Sequence, residues 1–362
     1  VAYGTLSIFD TIGGRRAAAN DYIGLYNPDT LYEQLSIFLA AHNRLMDEVM
    51  MDLVDPTTER FITWGSNAET TMMDGDEFSR PETQKVQVDP TLMGFPLKLK
   101  QVAYGVTQLF METKTIGDLE QVVTACTDAD IRDQLAAIRG ALFNPTNNLT
   151  YKDRLVDNIT IAQRALLNAD GAYIPPDQYG NTFDPNTHTH FLGTSSFANA
   201  DVHTLIDTVV EHWAQGTVRV YINRGQETTV RGFADFKQYY DIRITPGVNQ
   251  DRALDTPLDI LNIYNRPIGI FGPAEVWVKP WVPTNYLFAF NTQVDKPLRK
   301  RTRPSAGNVN RGDLRIAAQF SSYPLMATYM EREYGIGVYE RRNGACLYTQ
   351  NATYTAPAAW SL

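Results

Sequence analysis

The chain has 362 residues, 43% of them hydrophobic and 20% charged, with 32 basic against 41 acidic side chains and a net charge of −9. That composition belongs to an ordered chain long enough for a large core and more than one domain, and it excludes a disordered one. The acidic balance also excludes a general nucleic-acid reader, whose affinity comes mainly from neutralised phosphates, so any DNA contact is expected to be local.

In chain order, residues 1–28 read as an extended arm with Gly13-Gly14-Arg15-Arg16 near its middle and Asn27-Pro28 at its end. Thr30-x-x-Glu33 is a capping box, and Leu31, Leu35, Phe38, His42, Leu45, Val49 and Leu53 recur at helical spacing until Asp55-Pro56 stops the helix. Phe61 to Trp64 is a short strand. The polar stretch from Asp74 to Pro90, broken by Gly75, Pro81 and Pro90, leads to Leu97, Leu99, Val102, Tyr104 and Val106, whose alternation slips near Gln101 as at a bulge. Two strands joined by so long an excursion predict a protruding hairpin, and a loop of that length normally has a job.

Asp118 is placed to cap a second long helix with a buried stripe of Leu119, Val122, Cys126, Ala129, Leu135, Ile138 and Leu142, ending at Asn144-Pro145. If continuous from 118 to 143 it is roughly 39 Å long, with Gly117 and Thr127-Asp128 as its weak points. Residues 146–198 are turn-rich, with strand candidates at Leu155 to Ile161 and His190 to Leu192. Val202, Leu205, Val209 and Trp213 mark a third helix ended by Gly216, and Val218, Val220 and Ile222 a strand directly after it. A short helix near Glu227 to Phe236 and a run of strands from Ile268 to Phe290 follow. Residues 295–312 read as a basic loop. Last comes Asn343-Gly344, the dipeptide of a type I′ turn. Centred there, a hairpin pairs Glu340 with Leu347, Tyr339 with Tyr348 and Val338 with Thr349. Ile336, Val338 and Leu347 then share one face, and Tyr339, Arg341, Cys346 and Tyr348 the other.

Chemistry-bearing motifs are few. Gly335-x-Gly337 begins like a dinucleotide fingerprint, but Glu340 and the absence of a following helix make it strand. Asp74-Gly75-Asp76-Glu77 resembles a calcium loop, yet Lys85 stands where an EF-hand needs an acidic ligand, so it reads as a solvated tip. His188 and His190 would share a strand face and could hold a metal with Asp184, but nothing nearby completes a tetrahedral set. His203 and His212 read as surface or interface residues. There is no Gly-x-Ser-x-Gly, His-Glu-x-x-His or Walker sequence. Scattered carboxylates could meet in space as a glycosidase pair. The sequons at Asn148, Asn158 and Asn351 carry little meaning in a cytosolic product, and Arg311-Gly312-Asp313 reads as loop. Lys296, Arg299, Lys300, Arg301, Arg303, Arg311 and Arg315 are read as a charged contact with an acidic neighbouring subunit rather than a phosphate patch. Two cysteines, Cys126 and Cys346, exclude a disulfide scaffold, and no apolar run approaches the roughly 20 residues that span a bilayer. The N-terminus lacks a secretory signal, and Val1 fits loss of an initiator Met or removal of a longer leader. The expectation is a soluble protein made in the cytosol, with no catalytic, cofactor-binding or metal-ligating residue assigned.

The order of arm, helix, long hairpin, spine helix, a domain of helices and strands, and a return of long strands resembles the tailed-bacteriophage major capsid proteins of the Hong Kong 97 type. So do several stretches: Asp128-Ala-Asp130 through Ala141-Leu-Phe-Asn-Pro145, Ala165-Leu-Leu-Asn-Ala-Asp-Gly171, Thr187-His-Thr-His190 leading to Ser196-Phe-Ala-Asn-Ala-Asp201, Tyr221-Ile-Asn-Arg224, and Glu331-Arg-Glu-Tyr-Gly-Ile-Gly-Val338. The resemblance implies an α+β capsid fold. Residues 1–57 would be the N-terminal arm and its helix, and 58–113 an extended loop over a neighbour. Residues 114–199 and 300–362 would form a peripheral domain around the spine helix, and 200–299 an axial domain.

It further implies a non-enzymatic shell subunit that assembles with itself into hexamers and pentamers of an icosahedral head around double-stranded DNA. That shell would be a virion component made in host cytoplasm and independent of membranes. Its implied partners are a scaffolding protein or protease, a portal, a cement or decoration protein, and DNA held non-specifically. No scaffolding segment is visible in the chain, which implies a separate scaffold or a cleaved leader. Some relatives weld subunits through a Lys–Asn bond promoted by a Glu. Lys85, Lys98, Lys100, Asn343 and Asn351 lie in the right regions, but their spacing selects no pair, and that chemistry is not carried over. Two other readings stay open: an encapsulin-like compartment of the same fold, and a hydrolase built on scattered carboxylates.

Overall fold

The computed structural model describes residues 20–65, 90–213, 215–239, 266–304, 310–322 and 324–357, together with positions 72, 74, 77, 78 and 80. Most of the arm, the greater part of the loop between 66 and 89, and residues 240–265 of the expected axial domain lie outside the described residues.

Helix α1 spans Pro28–Met50 and starts three residues earlier than the capping box suggests. Asn27 is its cap, accepting the Asp29 N–H at 3.0 Å, with Pro28 in the first turn, where its missing N–H costs nothing. Its buried stripe is Leu31, Leu35, Leu39, His42, Met46 and Met50, whereas Val49 faces solvent. The helix ends at Met50, before the expected stop: Asp55-Pro56 lies inside strand β1 (Val54–Thr57), the edge of a sheet, where a proline is tolerated.

Strand β2 (Phe61–Trp64) pairs antiparallel with β3 (Thr91–Gly94), from Phe61↔Gly94 to Trp64↔Thr91. The excursion therefore closes on Thr91 to Gly94, and the expected pairing with the Leu97 strand is corrected. That strand, β4 (Lys98–Thr107), is regular and has no bulge at Gln101. It runs in unbroken register along β15 (Leu325–Val338), from Thr107↔Leu325 to Lys98↔Tyr334. Lys98, Lys100, Val102, Tyr104 and Val106 share its inner face, and Leu99 is exposed. The apparent slip arose from counting Leu99 as core.

A short helix α2 (Gln108–Thr113) precedes the spine helix α3 (Ile116–Leu142), 27 unbroken residues or about 40 Å. Thr115 is its N-cap and Asp118 is N3 of a reciprocal capping box, so the cap lies three residues before the expected one at Asp118. Ile116, Leu119, Val123, Cys126, Ile138 and Leu142 are its large buried apolar positions. Beyond α3, β5 (Leu149–Lys152) and β6 (Thr160–Gln163) form a hairpin. The strand expected at Leu155 to Ile161 is mostly turn: the N–H groups of Val156, Asp157 and Asn158 all donate to the Asp153 carbonyl. Asn148 and Asn158 both take φ of 59°, so the asparagines of two sequons serve as left-handed turn residues.

Two sheets carry the rest. In the first, the order is β1, β13 (Leu298–Arg301), β15, β14 (Arg315–Ser322), with β4 on the far side of β15. The second has seven strands. Its order is β7 (Phe191–Gly193), β16 (Ala345–Tyr348), β12 (Tyr286–Asn291), β8 (Val218–Ile222), β11 (Ala274–Val278), β10 (Arg266–Phe271) and β9 (Phe236–Gln238). Helix α4 (Asn199–Val210) packs across β12, β16 and β8, and α5 (Arg224–Arg231) follows β8. Strand β12 is buried on both faces. Leu287 and Ala289 face the α4 core with Val202, Leu205 and Val220, while Tyr286, Phe288 and Phe290 face a larger core with Phe143, Leu166 and Trp281. Burial on both sides explains its unalternating sequence.

The hairpin centred on Asn343-Gly344 does not form. β15 and β16 lie in different sheets, and neither Asn343 nor Gly344 has a positive φ. Asn343 is buried and acts as a piece of backbone: its Oδ1 accepts the Asn291 N–H at 2.7 Å, and its Nδ2 donates to the carbonyls of Asn291 and Asp295. Arg341, expected on a strand face beside Tyr339, is fully buried. It reaches both Asp170 oxygens (2.8 and 3.3 Å) and the Ala165 carbonyl.

Gly335 sits where two segments touch, since a Cβ there would meet the Pro96 carbonyl oxygen at 2.0 Å. Backbone cannot yield as a side chain can. Gly335→Ala is therefore expected to cost about 1–3 kcal/mol, read as a lower urea midpoint with an unchanged slope. An unchanged midpoint would show that β15 and Pro96 are not in close contact.

Candidate functional site

The motifs noted in the sequence resolve individually. Gly335-x-Gly337 lies inside β15 and cradles no phosphate; Gly337 packs under Phe95. In Arg311-Gly312-Asp313, Arg311 pairs with Glu333 at 3.0 Å and Gly312 N–H donates to Asn310, a structural loop. Gly75, Asp76 and Lys85 lie outside the described residues. Lys98 sits over the Tyr151 ring, Lys100 bonds Asp133 at 2.6 Å, and Asn343 is buried.

The basic stretch is not a loop presenting charge to a neighbour. It contains strand β13, and its cations find partners within the chain. Lys296 and Arg299 both pair with Asp55, Lys300 with Asp47, and Arg303 with Glu333, at 2.8 to 3.3 Å. Arg315 pairs with Glu331. Arg301 is buried against Asp153 and also donates to the Phe95 carbonyl, each at 2.9 Å. Those carboxylates come from α1, β1, β15 and the β5–β6 turn, so no local reading could have supplied them.

A second buried polar network joins α1, α3 and β15. Asp130 Oδ2 accepts from His42 Nε2 (2.9 Å) and Gln134 Nε2 (2.7 Å), with Arg332 Nη1 at 3.0 Å. Arg332 also donates to Asn43, whose side chain bonds both backbone groups of Leu314. His42, Gln134 and Arg332 are fully buried and Asn43 and Asp130 nearly so, so the set braces the core and offers no substrate an entrance.

The most concentrated chemistry is a group of histidines. His188 and His190 approach β7, and His212 with Glu211 closes the C-terminal end of α4. Asp184, the ligand considered in the sequence, turns away. It accepts from Asn186 N–H and Thr187 Oγ1, and it caps the turn that leads to His188. His212, read as a surface or interface residue, is buried within the chain instead. The three Nε2 atoms lie 3.0, 3.1 and 3.1 Å apart, and Glu211 Oε1 is 3.5 Å from His188 and 3.9 Å from His212. Phe183 packs against His188 and His212 in a tilted arrangement, with ring centroids at 5.0 and 4.2 Å. Burial holds the imidazoles neutral, lowering His190 to about 3 and His212 to about 2, with His188 lowered as well. Burial, then Asp207, raises Glu211 to about 7. His203, by contrast, is a separate half-exposed residue bonded to Asp235 at 2.8 Å.

No helix among the described residues is long and apolar enough to cross a membrane. No protein-family model and no curated protein matches the sequence. Solved structures do match its fold. A chain from a structure of Mycobacterium phage Patience is 20% identical, with a TM-score of 0.66 over 91% of each chain. The asymmetric unit of the bacteriophage PhiM1 mature capsid contains a chain 8% identical, with a TM-score of 0.50 over 83% of this chain and 85% of that one. An encapsulin complex from Synechococcus elongatus is 10% identical, with a TM-score of 0.44. With a likeness that extends over nine-tenths of the chain, and with its order of helices and sheets, the protein has the α+β capsid fold of tailed phages that its sequence resembles.

Proposed function

We propose that this chain is the major capsid protein of a tailed double-stranded DNA phage, assembling into hexamers and pentamers of an icosahedral head. The observations that carry the reading are the likeness over 91% of the chain to the Mycobacterium phage Patience chain and the fold shared with a chain of the bacteriophage PhiM1 mature capsid. Exposed apolar side chains on the β14–β15 arms, among them Phe320, Leu325 and Tyr329, supply contact area for neighbours. In this reading residues 1–57 are the arm and its helix, 58–113 the extended loop, 114–199 with 300–362 the peripheral domain, and 200–299 the axial domain. Strands β7 and β16, from the flanking segments, complete the axial sheet.

The subunit acts as structure and not as an enzyme. A scaffolding protein or protease, a portal and a decoration protein are its partners in assembly, in host cytoplasm, and the finished protein is part of the virion. With a net charge of −9 and its basic strand neutralised internally, the wall does not draw DNA in, so a packaging motor supplies that work.

Negative-stain microscopy and sedimentation of the chain co-expressed with its scaffold are expected to give closed shells or capsomers. Head-to-tail contacts close into rings, and rings into shells. A stable monomer or dimer at high concentration would end this reading, and native shells filled with a protein cargo would move it to an encapsulin-like compartment.

A further inference from the structure

We propose that His188, His190, His212 and Glu211 form a structural site for a divalent transition-metal ion of the zinc type. The inference rests on geometry and is independent of the assembly reading.

Three imidazole nitrogens converge on one point. Zinc–nitrogen bonds of about 2.0–2.1 Å in a tetrahedron place their nitrogens about 3.3–3.4 Å apart, only a few tenths of an ångström wider than the 3.0 to 3.1 Å found here. The fourth corner is within reach of a carboxylate, since the ligand atoms of all four residues lie within 4.8 Å of one another. Three imidazoles and one carboxylate suit zinc and its neighbours better than magnesium or calcium, which favour all-oxygen shells.

The tautomer of the most buried ligand is fixed correctly. His190 Nδ1 lies 2.7 Å from the Gly344 carbonyl, which can only accept, so Nδ1 carries the proton and Nε2 turns a lone pair to the centre. Its backbone is pinned on both sides, donating to Leu167 at 2.8 Å and accepting from Cys346 at 2.8 Å. His212 also follows the last turn of α4, where the helix dipole favours a cation, and Phe183 covers two of the rings.

The ligands come from two segments separated by about twenty residues of chain, the approach to β7 and the end of α4. A bound ion would staple them together. With four protein ligands the site is closed, which assigns it to stability and not to catalysis.

The test uses the untagged full chain, expressed with zinc in the medium and purified without chelator. Metal analysis is expected to find one zinc ion per chain, and Co²⁺ exchanged into the site should give the intense visible bands of tetrahedral coordination. A chelator should lower the unfolding temperature, and zinc should restore it. His188→Gln and Glu211→Gln, each at a partly exposed position, should remain folded and lose most of the metal, and His203→Ala should keep it. Metal-free protein that takes up no Co²⁺ would overturn the site and leave a hydrogen-bonded trio of imidazoles. Zinc retained by the double variant His188→Gln with His212→Gln would overturn it equally. Because the readout is metal per chain, failure to form shells would not affect it.

Discussion

Replacing residues 66–89 with a short Gly-Ser linker is expected to leave a folded subunit that no longer assembles. The base of the hairpin is secured without that segment. β2 and β3 pair over four residues each, Met93 and Phe95 are fully buried, and Trp64 donates from Nε1 to Glu340 at 3.0 Å. The removed stretch contains six acidic and two basic residues and few large apolar ones, so the core loses little with it. Of those apolar residues, Met72 and Phe78 are exposed within the chain and are better employed against a neighbour. Chemical and thermal unfolding of the deleted subunit should stay near the parent's, while sedimentation and microscopy show shells lost. Normal shells from the deleted protein would remove the extended loop from the assembly contact. A collapsed unfolding midpoint would show that the segment belongs to the core.

Asp130→Ala is expected to be the most damaging of the carboxylate substitutions, at about 3–5 kcal/mol, because it leaves the Arg332 guanidinium buried and uncompensated. Asp130 receives His42, Gln134 and Arg332 on one oxygen, and thereby ties α1, α3 and β15 at a single point. The surface comparison is Lys296→Ala. Its ammonium pairs with Asp55 at 2.8 Å, but both side chains are roughly one-third exposed and solvent screens them. That change should stay within about 1 kcal/mol. Urea unfolding of the unassembled subunit reads both, and equal losses at the two positions would refute the distinction drawn from burial.

The helices were legible because their determinants are local. The helical recurrence of Leu31, Leu35 and His42, or of Leu119, Cys126, Ile138 and Leu142, and the caps within three residues of each start, are written in consecutive sequence. The strand from Val218 to Ile222 was legible for the same reason. The order of elements, and with it the capsid fold, needed only that level of detail.

What the tertiary structure decided is every relation between distant segments. Asn343-Gly344 carries the strongest local turn signal in the chain, and tertiary packing overrides it. The flanking strands gain more from joining separate sheets than from pairing with each other, and Asn343 serves as a bridge to Asn291 and Asp295. The basic strand looks like a patch in sequence because its counterions, Asp47 and Asp55, stand some 250 residues earlier. The histidine cluster was half visible. His188-x-His190 is a local pattern, but Glu211 and His212 reach it only when α4 folds back over the seven-stranded sheet, and a sequence records the spacing of residues along the chain, not across it.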